Sequence, residues 1–289
     1  MHINVKENRR SSDMSVTINK ASRYILLILG SLFMLYPILW LLGSSLKTNE
    51  EIPKSNLFPS EFRWENFVEG WNAIPGYTFG QFFGNSFLIA GLSVVGTVLS
   101  SFIVAFGFAR IKFPLKGVWF AVLMMTLMLP TQVTLVPQYI LFKNFDWIGT
   151  TLPIIVPHFL AVSPFYVFLI IQFIRSIPSD LDESAKIDGC SMVGIAFRII
   201  LPLCVPALVT SALFCFIWTW DDFLAQMLYL TDTAKYTVPL ALRLFLDNSS
   251  AVTWGPMYAM SVLAILPSFL IFTFAQKYFV EGIATTGIK

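Results

Sequence analysis

The chain has 289 residues, of which 56% are hydrophobic, 16% aromatic and only 12% charged, and its mean hydropathy is +0.72. Soluble domains carry about 25% charged residues, so roughly half the usual solvated surface is missing and a soluble globular fold is excluded. The formal net charge of +2 says little by itself; where the charges fall says more, and nucleic acid is not among the expected partners.

In chain order, residues 1–23 are polar and basic, with no apolar region directly after the start. The first apolar run, Tyr24–Leu46, has no small-residue cleavage pattern at its end and reads as a retained span, not a signal peptide. Five further runs are long enough to cross about 30 Å of hydrocarbon, which takes about 20 residues. They are Asn85–Ala109, Gly117–Phe142, Gly149–Ile174, Ile199–Trp220 (extending to Leu230) and Ala251–Gln276. Backbone polar groups must pair internally in lipid, so each run is expected to be helical. The alternation of a β-barrel is absent. The expected fold is an all-α membrane protein with six transmembrane helices. Its parts would be an N-terminal segment 1–23, a permease domain 24–280 and a C-terminal tail 281–289.

Basic residues favour the cytoplasmic side of a membrane. With the N-terminus inside, the inner segments hold thirteen of the nineteen Lys and Arg, among them Arg110, Lys112 and Lys116 in one tight turn. The outer segments hold Lys47, Lys54, Arg63, Lys143, Lys235 and Arg243. Both termini are therefore expected to be cytoplasmic. Of the outer loops, Lys47–Gly84 is long, acidic and aromatic, and Leu230–Ser250 is also sizeable; within it Asn248-Ser249-Ser250 matches a short, common glycosylation pattern. Such loops suit an external partner or plain solvation. Prolines recur within the runs (Pro130, Pro137, Pro157, Pro202, Pro206 and Pro267 among them), and each breaks the helical ladder, so a kinked bundle follows.

Between the fourth and fifth runs lies the most informative stretch, 177–198, which is expected to be a cytoplasmic loop. Ser179 is a candidate N-cap with Asp182 three residues on, and Asp180 and Glu183 suit the positive end of a helix dipole. Gly189 is placed to end that short helix, and Ser191 to cap the next, Met192–Ile199. Pro202 would then open the fifth span. The small residues Ser184 and Ala185 would admit another surface closely, with Glu183, Lys186 and Asp188 at its rim.

Glu183-Ser184-Ala185, then Asp188-Gly189, then Leu201-Pro202-Leu203 resembles the E-A-A…G loop of ABC-importer membrane subunits. Further matches are Asn85-Ser86, Phe108-Ala109-Arg110-Ile111-Lys112-Phe113, Met128-Leu129-Pro130, Val136-Pro137-Gln138-Tyr139 and Trp220-Asp221-Asp222-Phe223. In this order they are similar to the carbohydrate-uptake branch, the type represented by the smaller permease subunit of the maltose transporter. That resemblance implies a heterodimer with a second permease subunit, two separate ATPase subunits, an extracytoplasmic sugar-binding protein and a location in a bacterial inner membrane. It also implies that Glu183, Ser184, Ala185, Asp188 and Gly189 form a coupling helix seated in the ATPase, although Ser184 and Cys190 stand where the family usually has alanine. The C-terminal Gly282–Lys289 would reach the ATPase interface. Asp247, Asn248 and Trp254 would contact the binding protein.

No G-x-x-x-x-G-K-[ST] sequence is present, so this chain holds no phosphate loop, and ATP and Mg belong on the partner subunits. It is not expected to be an enzyme. Trp218, Trp220, Asp221, Asp222 and Gln226 are candidates for the substrate pathway, with a carboxylate bonding sugar hydroxyls and an indole stacking on the ring. The other reading of the two aspartates is an exposed interfacial belt. His158 reads as a buried histidine bonding a backbone group, and Cys190, Cys204 and Cys215 as packed apolar residues without metal-ligand spacing. The import of an oligosaccharide is the expected function. An ion-coupled secondary transporter is the competing one, though no internal repeat supports it.

Overall fold

The computed structural model describes residues 4–54, 56–247 and 254–284, and every regular element among them is helical. The Asn248-Ser249-Ser250 pattern and residues 285–289 lie outside them. The chain forms two compact units, Met1–Gly70 with Thr253–Val262 and Trp71–Val252 with Leu263–Lys289.

In the first unit, helix α1 (Asn4–Ser44) begins well before the apolar run, so the polar leader and the first span are one helix. Its stretch Ser22–Ser44 has a mean hydropathy of 2.4, and Tyr24, Leu27, Phe33 and Met34 are all exposed, as lipid contact requires. The loop that follows folds back around helix α2 (Glu65–Trp71). Asn66 is the fastener. It is 1% exposed, and its amide nitrogen donates to the carbonyls of Ser45 and Lys47, both at 2.9 Å. Lys47, which sequence places among solvated outer charges, is itself buried and its amine donates to the Asn56 carbonyl. An unpaired buried carbonyl costs about 1–3 kcal/mol. Asn66→Leu, which orphans two, is expected to destabilise this unit by about 2–4 kcal/mol, read as a lower melting temperature of the detergent-solubilised protein.

In the second unit, helix α3 (Phe79–Arg110) is the central element. It starts six residues ahead of the expected Asn85. Small buried residues along one face (Ser86, Ala90, Ser93, Gly96, Thr97) let neighbouring helices approach closely. At Gly96 a Cβ would lie 2.6 Å from the Phe159 ring, so no other residue fits there without a shift. Asn85-Ser86 has a mechanical role. The Asn85 amide donates to the carbonyls of Ala234 and Tyr236, and the Ser86 hydroxyl accepts from the Val238 amide, which ties a distant loop to α3.

The third run is not one straight span. Helices α4 (Lys116–Leu127) and α5 (Thr131–Asn144) are bent by 103° across Met128-Leu129-Pro130. Pro130 has no amide hydrogen and disfavours helical backbone at Leu129, so the ladder stops there. The fourth run is α6 (Leu152–Ile155), a 3-10 turn at Val156–Leu160, and α7 (Pro164–Ser176). On α7 the stripe Val167, Ile170, Ile171 and Ile174 is buried at helical spacing. These side chains pack with Phe102 and Phe106 of α3 and with Ile195 and Ile200 further on.

Helix α8 (Asp180–Ile187) follows, and the fifth run then also departs from the expectation. It starts at α9 (Met192–Gly194), continues through a π-helical turn at Ile195–Ile200 and α10 (Leu201–Leu203), and bends by 75° into α11 (Val205–Trp220). The bend falls at Cys204, between Pro202 and Pro206. Helix α11 stops at Trp220; the segment to Leu230 is a separate short helix, α12 (Leu224–Tyr229). The helices α13 (Val238–Asp247) and α14 (Trp254–Ala284) complete the order. By length and apolarity four helices can cross a membrane, or six if each bent pair counts as one span.

Candidate functional sites

The first site is the 177–198 stretch. Helix α8 ends as its sequence suggests, at Gly189 with φ +78. The Gly189 amide donates to the Lys186 carbonyl at 3.0 Å and the Cys190 amide to the Ala185 carbonyl at 2.9 Å, the paired bonds of a Schellman motif. Ser191 caps the following helix, accepting from the Gly194 amide at 3.2 Å. The start differs from the expectation. Ser179 sits in helical backbone and its hydroxyl makes no cap bond.

Asp182 is not a capping partner either; it is 6% exposed and turned inward. Its carboxylate lies 2.7 Å from Nε of Arg110, the last residue of α3, in an ion pair with both side chains about nine-tenths buried. Arg110 also donates from Nη2 to the Ile177 carbonyl at 2.7 Å. Three residues along α8 from Asp182, Ala185 packs into the same core as Phe102, Ile174 and Ile195. Its smallness therefore serves the packing beneath the helix, not an approach from outside. The outer face carries Glu183, Ser184, Ile187, Asp188 and Gly189, all exposed. The Ser184 hydroxyl is turned back onto the Asp180 carbonyl at 2.8 Å. Sequence reading missed Arg110 and Asp182 as a pair. The available signal was that Asp182 shares the face of Ala185, one helical turn away.

The second site is a pair of adjoining cavities of about 490 Å³ and 390 Å³. They share the wall residues Gln138, Pro157, His158, Val162, Ser163 and Tyr166. The larger has an aromatic rim that includes Phe145, Trp147 and Trp218, and it contains one carboxylate, that of Asp222. Thr97, Ser101, Thr126 and Thr134 bring hydroxyls to the smaller. A concave, largely apolar space with a few convergent polar groups is how ligand sites are usually built. His158 lies on the shared wall. Its Nδ1 is 2.7 Å from the Thr97 hydroxyl, whose oxygen accepts from the Cys215 thiol at 3.3 Å, and its own carbonyl accepts from the Ser100 hydroxyl at 2.8 Å. So His158 bonds a side chain through its ring, where sequence suggests a backbone group.

The five pathway candidates divide. Trp218 and Asp222 line the larger cavity, and an Asp222 oxygen accepts from the Ala225 amide at 3.1 Å. Asp221 is exposed and belongs to neither wall. Trp220 is 1% exposed and its indole donates to the Ala264 carbonyl at 3.0 Å. Gln226 is also buried, donating to the Thr219 carbonyl at 2.7 Å and accepting from the Thr237 hydroxyl. Trp220 and Gln226 thus act as braces behind the cavity. Of the outer candidates, Asp247 ends α13, Asn248 lies outside the described residues, and Trp254 opens α14 with its ring 6.0 Å from that of Tyr258.

Residues 96–285, more than half of the chain, match the family model described as binding-protein-dependent transport system inner membrane component. The probable ABC transporter permease protein YurM of Bacillus subtilis (strain 168) is 34% identical over 289 residues, covering 100% of this chain and 94% of the relative. The trehalose/maltose transport system permease protein MalG of Thermococcus litoralis is 31% identical, covering 92% of this chain and 96% of the relative. A chain of the crystal structure of a bacterial ABC transporter involved in import of the acidic polysaccharide alginate shares the fold, with a TM-score of 0.80 at 20% identity over 92% of this chain and 98% of that one. A multi-pass helical chain with these relatives has one assignment: it belongs to the family of inner-membrane components of binding-protein-dependent transport systems, the permease subunits of ABC importers.

Proposed function

We propose that this permease subunit imports a sugar, with an oligosaccharide as the cargo, through a path that includes the two adjoining cavities. The observation that carries the reading is the family match, because residues 96–285 contain both cavities and the whole of α8. The cargo class rests on the trehalose/maltose name of the Thermococcus relative. The cavity chemistry agrees, since aromatic faces suit sugar C–H surfaces and neutral hydroxyl and amide groups suit sugar hydroxyls.

In this reading six spans cross the bacterial inner membrane with both termini cytoplasmic, as the distribution of basic residues favours. The spans sit in one permease domain, 24–280, flanked by the 1–23 segment and the 281–289 tail. A second permease subunit pairs with this chain, and two ATPase subunits supply the hydrolysis. The outer face of α8, with Glu183, Ser184, Asp188 and the Gly189 turn, docks on the ATPase. Contact with the sugar-binding protein is assigned to Asp247, Asn248 and Trp254.

The test is uptake by proteoliposomes holding the complete importer, using the sugar that co-purifies with the cognate binding protein. Uptake should require ATP and stop when the ATPase subunits are omitted; uptake that persists without them, driven by an ion gradient, would place the chain among secondary transporters. The pathway has its own check at Ser163, which lines both cavities and whose hydroxyl makes no cap bond to α7. Ser163→Trp fills the shared wall and is expected to reduce uptake to background while Ser163→Ala retains most of it. Full uptake by the Trp variant would move the path elsewhere.

A further inference from the structure

Arg110 stands where three helices with different duties end or begin. It closes α3, which supplies Thr97 and Ser101 to the smaller cavity. Its Nη2 holds the Ile177 carbonyl, the C-cap of α7, which supplies Tyr166 to both cavities. Its Nε holds Asp182 of α8 at 2.7 Å. By contrast, the side chains of the Arg63–Glu69 ion pair are 39% and 46% exposed, and that pair is of the weak solvated kind. The Arg110–Asp182 side chains are 11% and 9% exposed. A buried pair is a poor source of net stability but a strict one geometrically, because either charge left alone is strongly disfavoured. At a rise of 1.5 Å per residue, Thr97 and Ser101 lie roughly 14–20 Å up an unbroken helix from Arg110.

We propose that Arg110 and Asp182 are positioning residues that lock α8 to the ends of α3 and α7, so that a displacement of α8 is carried rigidly to the cavity walls. The inference rests on α8 being the ATPase-docking helix. Packing supports the same linkage, since Ala185 of α8 shares one core with Phe102 and Phe106 of α3 and with Ile171 and Ile174 of α7. A helix held only by that apolar core could slide; a buried guanidinium that hydrogen-bonds the Ile177 carbonyl and ion-pairs with Asp182 fixes its register.

The experiment uses the complete importer in proteoliposomes and the cognate binding protein as it purifies, carrying its own sugar. ATP hydrolysis per assembled complex is measured with and without that protein. Asp182→Asn and Arg110→Gln are expected to keep the ATPase subunits bound but lower the stimulation ratio roughly tenfold, a typical size for a coupling between sites. Should either variant fail to accumulate, Arg110→Gln/Asp182→Asn restores a neutral amide pair without an orphan charge, and Arg110→Lys keeps the charge without the planar fork. Both are expected to show ratios between those of the single variants and the wild type. Wild-type ratios per assembled complex in these variants would overturn the proposal, including the case in which only the amount of complex falls. Docking is judged separately, by whether Gly189→Pro loses the ATPase subunits that the Arg110 variants retain; failure there would sink the docking role of α8 and not merely the lock.

Discussion

Trp220→Ala is expected to be the most destabilising single change in the second unit. The ring is 1% exposed, with Phe87 at 4.9 Å, Phe216 at 5.4 Å and Phe83 at 6.0 Å between centroids, so its removal opens a cavity among three aromatic residues. Aromatic-to-alanine changes in cores cost about 3–5 kcal/mol. The indole N–H also holds the Ala264 carbonyl at 3.0 Å, and with it α14 loses a tie to α11. Trp220→Phe is the milder change, since it keeps a six-membered ring and forfeits the hydrogen bond, worth about 1 kcal/mol, with a smaller cavity than alanine leaves. The ordering expected in detergent is wild type, then Phe, then Ala, by melting temperature, with uptake per folded complex preserved in the Phe variant. The indole belongs to the substrate path instead if Trp220→Phe impairs sugar uptake at unchanged melting temperature.

That prediction differs from what Trp220 suggests in the sequence, and the reason is physical. Lipid tails are as apolar as a helix interior, so hydropathy reports how long a span is but not which of its faces is buried. The apolar, helical character of the runs was legible for that reason, and so was the Gly189 ending of α8, which depends on one glycine and local backbone bonds. Trp218 and Trp220 look alike in sequence, yet two residues along a helix turn them about 200° apart, one to the cavity and one to the core. The bends were half legible. Pro130, Pro202 and Pro206 mark where backbone bonding must fail, but their presence does not give angles of 103° and 75°, which depend on what the freed ends pack against. Asp182 was legible as a helix-start residue only, because its partner Arg110 is 72 positions away and, by charge alone, Arg110 serves as a topology anchor. Ser163 and Tyr166 carried no motif, Gln138 only its place in Val136-Pro137-Gln138-Tyr139, and they emerge as one wall only once the third and fourth runs are folded together.

Gly189→Pro is expected to abolish coupled uptake, and the graded series at this position shows why. At φ +78 the glycine occupies the left-handed region, where other L-residues pay about 1–2 kcal/mol and asparagine pays least. Nothing lies within 4 Å of an added Cβ, so the penalty is one of backbone and not of crowding. Gly189→Asn should therefore be nearly silent, and Gly189→Ala should lose no more than several-fold in uptake, in line with about 1 kcal/mol. Proline cannot follow. Its ring fixes φ near −65° and it has no amide hydrogen to give to the Lys186 carbonyl. The Cys190 amide is then swung away from the Ala185 carbonyl, the last turn of α8 opens, and Asp188 and Glu183 no longer share one rigid face. Uptake and ATPase-subunit co-purification, measured on equal amounts of inserted chain, are both expected to fall to background in the proline variant alone. If crowding at this surface governed docking, the bulkier Asn variant would be the one to fail, and the proline variant would behave like alanine.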